Sequence, residues 1–373
     1  MDKVKIAFLG EAWGEYEHKY GAGLVGPSGI ELFKQLELAG VIKLTSEAEG
    51  FFRKFWDTRD GQYVDLVWNM YPELYRTNVF NFRPPGNRLE DICVSDKHDG
   101  IKGYPAIIRS PKVRYLPQDY SYELERLAGE LLDKDPNLIV ALGNTASWAL
   151  LGQVAIMKNR GVTYLSTHTV QGFKVLPTYH PAAIMRQWEL RPVAVMDLYK
   201  AFREMEFPEI RRPKRTIWIE PTLEDIHEFM ESHVQRAALL SVDIETAGNQ
   251  ITNIGFAPNA SLAINIPFVD FRKPGRNYWA NKDDEVRAWR IIKSVLETPS
   301  PPKLFQNGLY DISFLWRGYG IGVRGAKEDT MLLSHAQQPE QLKGLGFLGS
   351  LFTDEGNWKT MRARGKTTIK RDD

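Results

Sequence analysis

The chain carries one cysteine in 373 residues, Cys93. A single thiol cannot close an intramolecular disulfide, and by itself it cannot supply a multi-cysteine zinc site or an iron–sulfur cluster, so no iron–sulfur cofactor is expected. An excess of charge of one sign is also missing. The 48 Lys and Arg stand against 47 Asp and Glu, a formal +1, which excludes a uniformly basic nucleic-acid coat and leaves anion binding to local clusters. No apolar run comes near the roughly 18 residues needed to span a bilayer. The opening MDKVKIAFLGEAWG enters a short β-like run instead of the basic-then-apolar pattern of a signal peptide. These absences predict a soluble protein of a reducing cytoplasm, bacterial or that of a virus-infected host, without a membrane partner.

What is present suffices for sizeable cores: 43% of the residues are apolar and 12% aromatic. At this length two or three domains are expected. From the start to about residue 207, apolar strand-like runs (VKIAFLG, TNVFNF, NLIVALG, FKVLPTYH) alternate with helical periods near GIELFKQLELAG and SYELERLAGELL. That alternation predicts a three-layer α/β/α unit with a mainly parallel sheet. Residues 208–215, PEIRRPKR, hold two prolines and four basic residues without apolar period and read as a linker. From 216 to 373 a second α/β unit is expected, in which TIWIEP and a helix around LEDIHEFMESH precede the strand ALLSVDIET and an antiparallel meander. The last stretch, KTMRARGKTTIKRDD, with six basic and two acidic residues, shows almost no apolar periodicity and is expected to be mobile.

In the first unit polar residues gather at the C-terminal ends of the predicted strands, where open α/β sheets place their ligands. One such end runs into GEAWGEYEHKYGAGLVGPSG with six glycines, another into NVFNFRPPGNR, and the last into YHPAA. Glycine lets the backbone approach a ligand closely, and the prolines after Arg83 stiffen the turn that presents Asn87 and Arg88. The glycine spacing fits neither a Walker nor a dinucleotide loop. Taken singly, such a turn is most often only a turn; the ordered set points to a cleft.

The set Gly10-Glu11-Ala12-Trp13-Gly14, Gly23-Leu24-Val25-Gly26, Asn78 through Arg88, Ala141-Leu142-Gly143-Asn144-Thr145-Ala146 and His180-Pro181-Ala182 resembles the uracil-DNA glycosylase superfamily, in particular its family-four branch, over residues 1–205. The resemblance implies base flipping, in which a nucleotide is extruded into the cleft and water attacks the sugar carbon as the base leaves. It further implies that Gly10 lies at the base site, that Glu11 orients the water or holds the loop, that Asn87 reads the Watson–Crick edge, and that His180 bonds the oxygen where charge develops. Three positions depart from the family pattern. Leu24 stands where the family has its stacking aromatic, Trp13 stands in place of a proline, and the cluster cysteines are absent, the one before Arg-Pro-Pro being Phe82. Uracil itself or a modified pyrimidine is the implied substrate.

In the second unit Asp243 and Glu245, two apart on one strand, project from the same face. Paired hard oxygen ligands suit Mg²⁺ or Mn²⁺, although an isolated D-x-E is most often a solvated strand edge. Together with Asn307, Asp311 and Asp329-Thr330-Met331-Leu332-Leu333, they resemble the 3′–5′ proofreading exonuclease domain of family A DNA polymerases, within the DEDD (DnaQ-like) superfamily of ribonuclease H-like fold. The resemblance implies two-metal phosphodiester hydrolysis by Asp243, Glu245 and Asp311. Asn307 would orient the terminal nucleotide or Asp311. Asp329 reads as a helix cap. The family's third motif, a Tyr or His four residues before an Asp, is not found after Asp311, because Tyr319 is followed four residues on by Val323, and Asp372 and Asp373 follow a polar tail. The expectation is therefore a phage-type replication or repair protein acting on single-stranded or 3′-end DNA. The exonuclease unit would be truncated before its third motif, and the expected partner is a polymerase module outside this chain. A working glycosylase and a non-catalytic DNA-binding module are the alternatives.

Overall fold

The computed structural model describes residues 3–355. The basic stretch from Lys359 on, with Asp372 and Asp373, lies outside the described residues. The chain divides into two compact units. Among the described residues, those up to Arg211, joined by 346–355, form the first, and Arg212–Leu345 forms the second.

The first unit is built on β1 (Ile6–Ala12), β2 (Leu74–Phe80), β3 (Leu138–Leu142), β4 (Tyr164–Leu165) and β5 (Lys174–Thr178), in the order β2-β1-β3-β5-β4. All pairs are parallel except β4 with β5. Alternate residues of each strand feed opposite cores, as the two-residue period of a strand requires. Ile6, Phe8, Leu138 and Val140 pack with Phe33, Phe55 and Trp68 on one face. Ala7, Leu9, Ile139 and Ala141 pack with Leu127, Leu131 and Trp148 on the other. This is the expected three-layer arrangement. Because β2 and β3 flank β1, the chain leaves β1 in one direction and later returns on the other side, so the strand order switches at the C-terminal ends of β1 and β3. Such a point opens a crevice.

The second unit contains β6 (Thr216–Trp218), β7 (Leu240–Ala247), β8 (Gln250–Asn259), β9 (Leu262–Pro267), β10 (Lys303–Phe305) and β11 (Ala326–Asp329), in the order β11-β10-β7-β8-β9-β6. The meander β7-β8-β9 is antiparallel, and β10 and β11 extend it in parallel beyond β7. This is the ribonuclease H-like order. Its core joins Val242, Ile244, Ile254 and Phe256 to Phe229, Ile292 and Leu315.

One boundary differs from the expected 216–373. The helix Leu345–Phe352 packs within the first unit, where Leu351 and Phe347 meet Tyr179, Ile184 and Val193. The physical reason is buried charge. Arg160 and Asp197 form an ion pair with both side chains fully buried, and Arg160 Nη1 donates to Ser350 Oγ at 2.8 Å. Lys200 Nζ donates to the carbonyls of Gly161, Ser350 and Thr353. Burial pushes the Lys200 ammonium down to about 8, with the Asp197 carboxylate working against the shift. Charges taken out of water are tolerated only when paired and hydrogen-bonded, and the segment 350–353 completes that pairing.

Candidate functional site

Glu11, Trp13, Leu24, Asn87 and His180 line one cleft of about 390 Å³ at the switch point, together with Asn78, Asn144 and Tyr179. Gly10 lies beneath its floor, where a Cβ would fall 2.1 Å from Asn78 Oδ1. Gly23 closes over the same amide from the other side, its Cβ position only 2.9 Å from Asn78 Nδ2. These two glycines are therefore required by close approach: any side chain there would displace Asn78.

His180 precedes a helix, Pro181–Arg186, and its Nδ1 accepts from the backbone N–H of Ala182 at 3.1 Å. An accepting Nδ1 leaves the proton of the neutral ring on Nε2. Burial, aided by the Arg186 charge, brings the imidazole pKa down to about 4, so near neutral pH the ring is an uncharged donor. Glu11, at the end of β1, accepts from Thr145 Oγ1, which fixes one carboxylate oxygen. Leu24 is 3% exposed, with φ of 52°, and its carbonyl accepts from Trp68 Nε1 at 3.1 Å. Its left-handed backbone is accommodated because Gly29 leaves room beneath that carbonyl.

The sequence reading misses three contributors. Asn78, on β2, is 2% exposed, and its Nδ2 has no hydrogen-bond partner among the described residues. It occupies the floor, whereas Asn87 sits on an exposed turn at the rim, with Arg83 Nε reaching its Oδ1 at 3.4 Å. Of these two amides, Asn78 thus stands at the floor of the cleft and Asn87 at its rim. Glu17 accepts from the N–H groups of Gly14 and Gly26 and so ties the two glycine-rich loops together. Thr145 holds Glu11. Asn78 and Thr145 stand in motif segments read from the sequence, whereas Glu17 carries no such signal.

In the second unit Asp243 and Glu245 share a face of β7, as the alternation requires, and Ile244 between them is buried on the other face. Asp311, on the helix Gly308–Tyr319, is 5% exposed, and its Oδ1 accepts from the Ile244 N–H at 3.1 Å. Burial pushes its carboxyl up to about 6. The bond from Ile244 opposes that shift and the Asp243 charge adds to it. Asp329 accepts from the N–H groups of Asn307, Gly308, Met331 and Leu332, which makes it a cap and a brace. Asn307, in the left-handed region with φ of 59°, lines a groove of about 720 Å³ with Tyr310, Phe314 and Arg317. Among the described residues no group of three or more His, Cys, Asp or Glu is placed to hold a metal ion. The expected Mg²⁺ or Mn²⁺ set of Asp243, Glu245 and Asp311 is thus not among the groups placed for a metal, although the Asp243 charge acts on Asp311. Burial raises the Cys93 thiol to about 11.

A family model described as uracil DNA glycosylase superfamily matches residues 1–203. The chain belongs to that superfamily. Among superfamily relatives, the type-4 uracil-DNA glycosylase of Thermotoga maritima is 27% identical over 204 residues, 53% of this chain and 76% of that protein. The type-4 uracil-DNA glycosylase of Sulfurisphaera tokodaii is 27% identical over 209 residues, 54% and 70% respectively. Among solved structures, the EXD2 exonuclease domain soaked in Mn and GMP is 18% identical, with 36% of this chain and 68% of that chain covered and a TM-score of 0.25. Brucella melitensis NrnC with bound Mg²⁺ is 17% identical, with 38% and 62% covered and a TM-score of 0.26. The second unit's fold is established by its strand order, described above. No helix of the described residues is long and apolar enough to cross a membrane.

Proposed function

We propose that the first unit takes one nucleotide of a DNA strand out of its stack into the cleft and hydrolyses its N-glycosidic bond. The observation that carries this reading is Asn78, a buried amide with an unmade hydrogen bond at the floor of a cleft, since a buried polar group without a partner is costly unless a ligand completes it. The edge of a pyrimidine presents the acceptors that this amide needs. As the bond from the sugar carbon to the base nitrogen breaks, negative charge collects on the base oxygens, and the neutral His180 Nε2–H can donate to one of them without the cost of burying a cation. Glu11, held by Thr145, orients the water that adds to the sugar carbon; the water's proton is lost and the base takes up one. None of these steps needs a metal. The test is a DNA strand carrying one uracil, incubated in EDTA and then treated with alkali. A single break at the uracil, lost at least 100-fold in Asn78→Ala, is the expected result, and an intact strand with the wild-type chain would sink the reading.

A second reading, supported by the ribonuclease H-like topology and the motif order, is the 3′–5′ proofreading exonuclease of a family A polymerase-like protein. It requires Mn²⁺-dependent shortening of 5′-labelled DNA that disappears in Asp243→Ala. Without such shortening the second unit is a nucleic-acid-binding fold only.

A further inference from the structure

Residues 94–117 form no helix or strand and are joined across the loop by the isolated bridges Val94–Tyr115, Gly100–Pro117 and Ile108–Arg114. The segment is nevertheless firmly packed. Ile101, Ile107 and Leu116 belong to the core on that face of the sheet, and the Trp148 indole N–H donates to the Pro105 carbonyl at 2.8 Å. A long loop held this way, with no regular structure of its own, is more often a binding element than a mere connection. It carries Lys97, Lys102, Arg109, Lys112 and Arg114 against Asp96 and Asp99. All of these cations except Arg114 are exposed, and none has an ion pair among the described residues.

The arm has a direction. It follows closely on the turn whose Pro84 and Asn87 line the cleft, and it lies against the helix Gly143–Leu151, with Tyr104 on Trp148 at 4.9 Å between ring centroids. That helix begins at the cleft, which Gly143 and Asn144 line. It ends at a recess of about 780 Å³, lined by Leu151 and Gly152 together with Lys97, Tyr104, Tyr164 and Thr167. The 9 residues of the helix span about 13 Å, the reach of about four phosphates along one strand. Cations strung along a path, instead of converging on one point, match a chain of phosphates and not a single anion, and a recess with aromatic walls suits an unstacked base. We propose that residues 94–117 form a track for the sugar–phosphate backbone of a single DNA strand, leading from the cleft along the helix Gly143–Leu151 to the recess beside Lys97. This rests on the reading of the cleft as a DNA site and adds a contact surface outside it.

The test uses the full chain in EDTA and a fluorescent single strand without uracil, with affinity read by anisotropy across a salt series. Lys97→Gln, Lys102→Gln, Arg109→Gln and Lys112→Gln, combined, should weaken binding roughly tenfold or more at low salt. They should also lower the slope of log affinity against log salt by about 3, since each phosphate contact on a single strand contributes about 0.7. The control removes the same charge from the elements packed on the other face of the sheet, by Lys34→Gln, Lys43→Gln, Arg53→Gln and Lys54→Gln combined, and should keep the wild-type slope. Thermal melting confirms that both variants fold; should the fourfold arm variant fail, the pairs Lys97/Lys102 and Arg109/Lys112, changed separately, each show half the loss. An unchanged slope in the arm variants, an equal fall in the control, or displacement of the strand by polyglutamate as readily as by unlabelled DNA overturns the track. A second strand bearing one uracil keeps this apart from the reading of the cleft. Arm-dependent binding with no break at uracil leaves the track standing and removes the glycosidic chemistry, whereas a break at uracil with an unchanged slope removes only the track.

Discussion

The two units differ in how their motif residues are held. In the first, single donor atoms of Asn78, Trp13 and Arg76 are fixed by packing without an acceptor among the described residues, though Arg76 pairs with Asp65 through its other nitrogen. In the second, Trp279 Nε1 is likewise without a partner among the described residues, but the motif carboxylates of Asp311 and Asp329 already receive backbone N–H groups. Each unit has a cavity beside its motif residues, the cleft over Asn78 in the first and the groove along Asn307 in the second, but only the first gathers its expected residues around one cavity. Motif order therefore says which residues to look for, while the hydrogen-bond account of each side chain says how they are held.

The largest effect that could sharpen this contrast lies behind the cleft. Arg160→Ala leaves Asp197 buried with Thr178 Oγ1 as its remaining side-chain donor, a change that costs about 3–5 kcal/mol. Hydrogen exchange should show protection lost in Pro181–Arg186 and Leu345–Phe352 and kept in Leu240–Ala247. Loss in all three segments would mean that the units do not hold their structure independently.

Next in size is Asp311. Its carboxyl titrates near 6 in the folded chain against an ordinary 3.8, so between those values the folded state binds more protons than the unfolded one, and stability falls as pH rises through 6. Asp311→Asn should add about 2 kcal/mol at pH 8 by urea denaturation and nothing near pH 4. A destabilised Asn variant at pH 8 would show that the carboxylate is favourably engaged after all, and the contrast would break. Asp329→Ala should cost about 1–2 kcal/mol through the lost cap, and activity measurements should show no metal-linked change beyond that.

The smallest effect concerns His180. Its folded pKa near 4 lies below the ordinary 6.5, so the unfolded state binds more protons between those values and stability declines as pH falls below 6.5. Between pH 7 and 5.5 the decline is about 1 kcal/mol, and His180→Asn should remove it. An unchanged pH slope in that variant would show that the ring is not held neutral by burial.

Strands β1, β2, β3, β5 and β7 were legible because each is an apolar run bounded by turn residues, and the cleft was legible because its residues stand at strand ends. Glu11, Trp13, Leu24, Asn87 and His180 indeed line one cavity. The helices Ser46–Thr58 and Gln62–Trp68 escaped the reading, since their aromatic-rich FFRKFW and QYVDLVW carry both periods in short windows. Asn78 and Asn87 share one motif, and spacing alone could not tell floor from rim. That required the approach of Gly10 and Gly23 from either side. The docking of Leu345–Phe352 was invisible because it depends on Arg160 and Lys200, 190 and 150 residues away from Ser350.

That docking has a consequence for how the protein is made. The segment that covers Arg160 and Lys200 leaves the ribosome only after the whole stretch 212–345 has been synthesised, so those two cations wait, uncovered, while the second unit is built. Domains commonly complete themselves in order as the chain emerges. Here the first to begin is the last to close, and a cut in the basic linker would not release it as a finished piece.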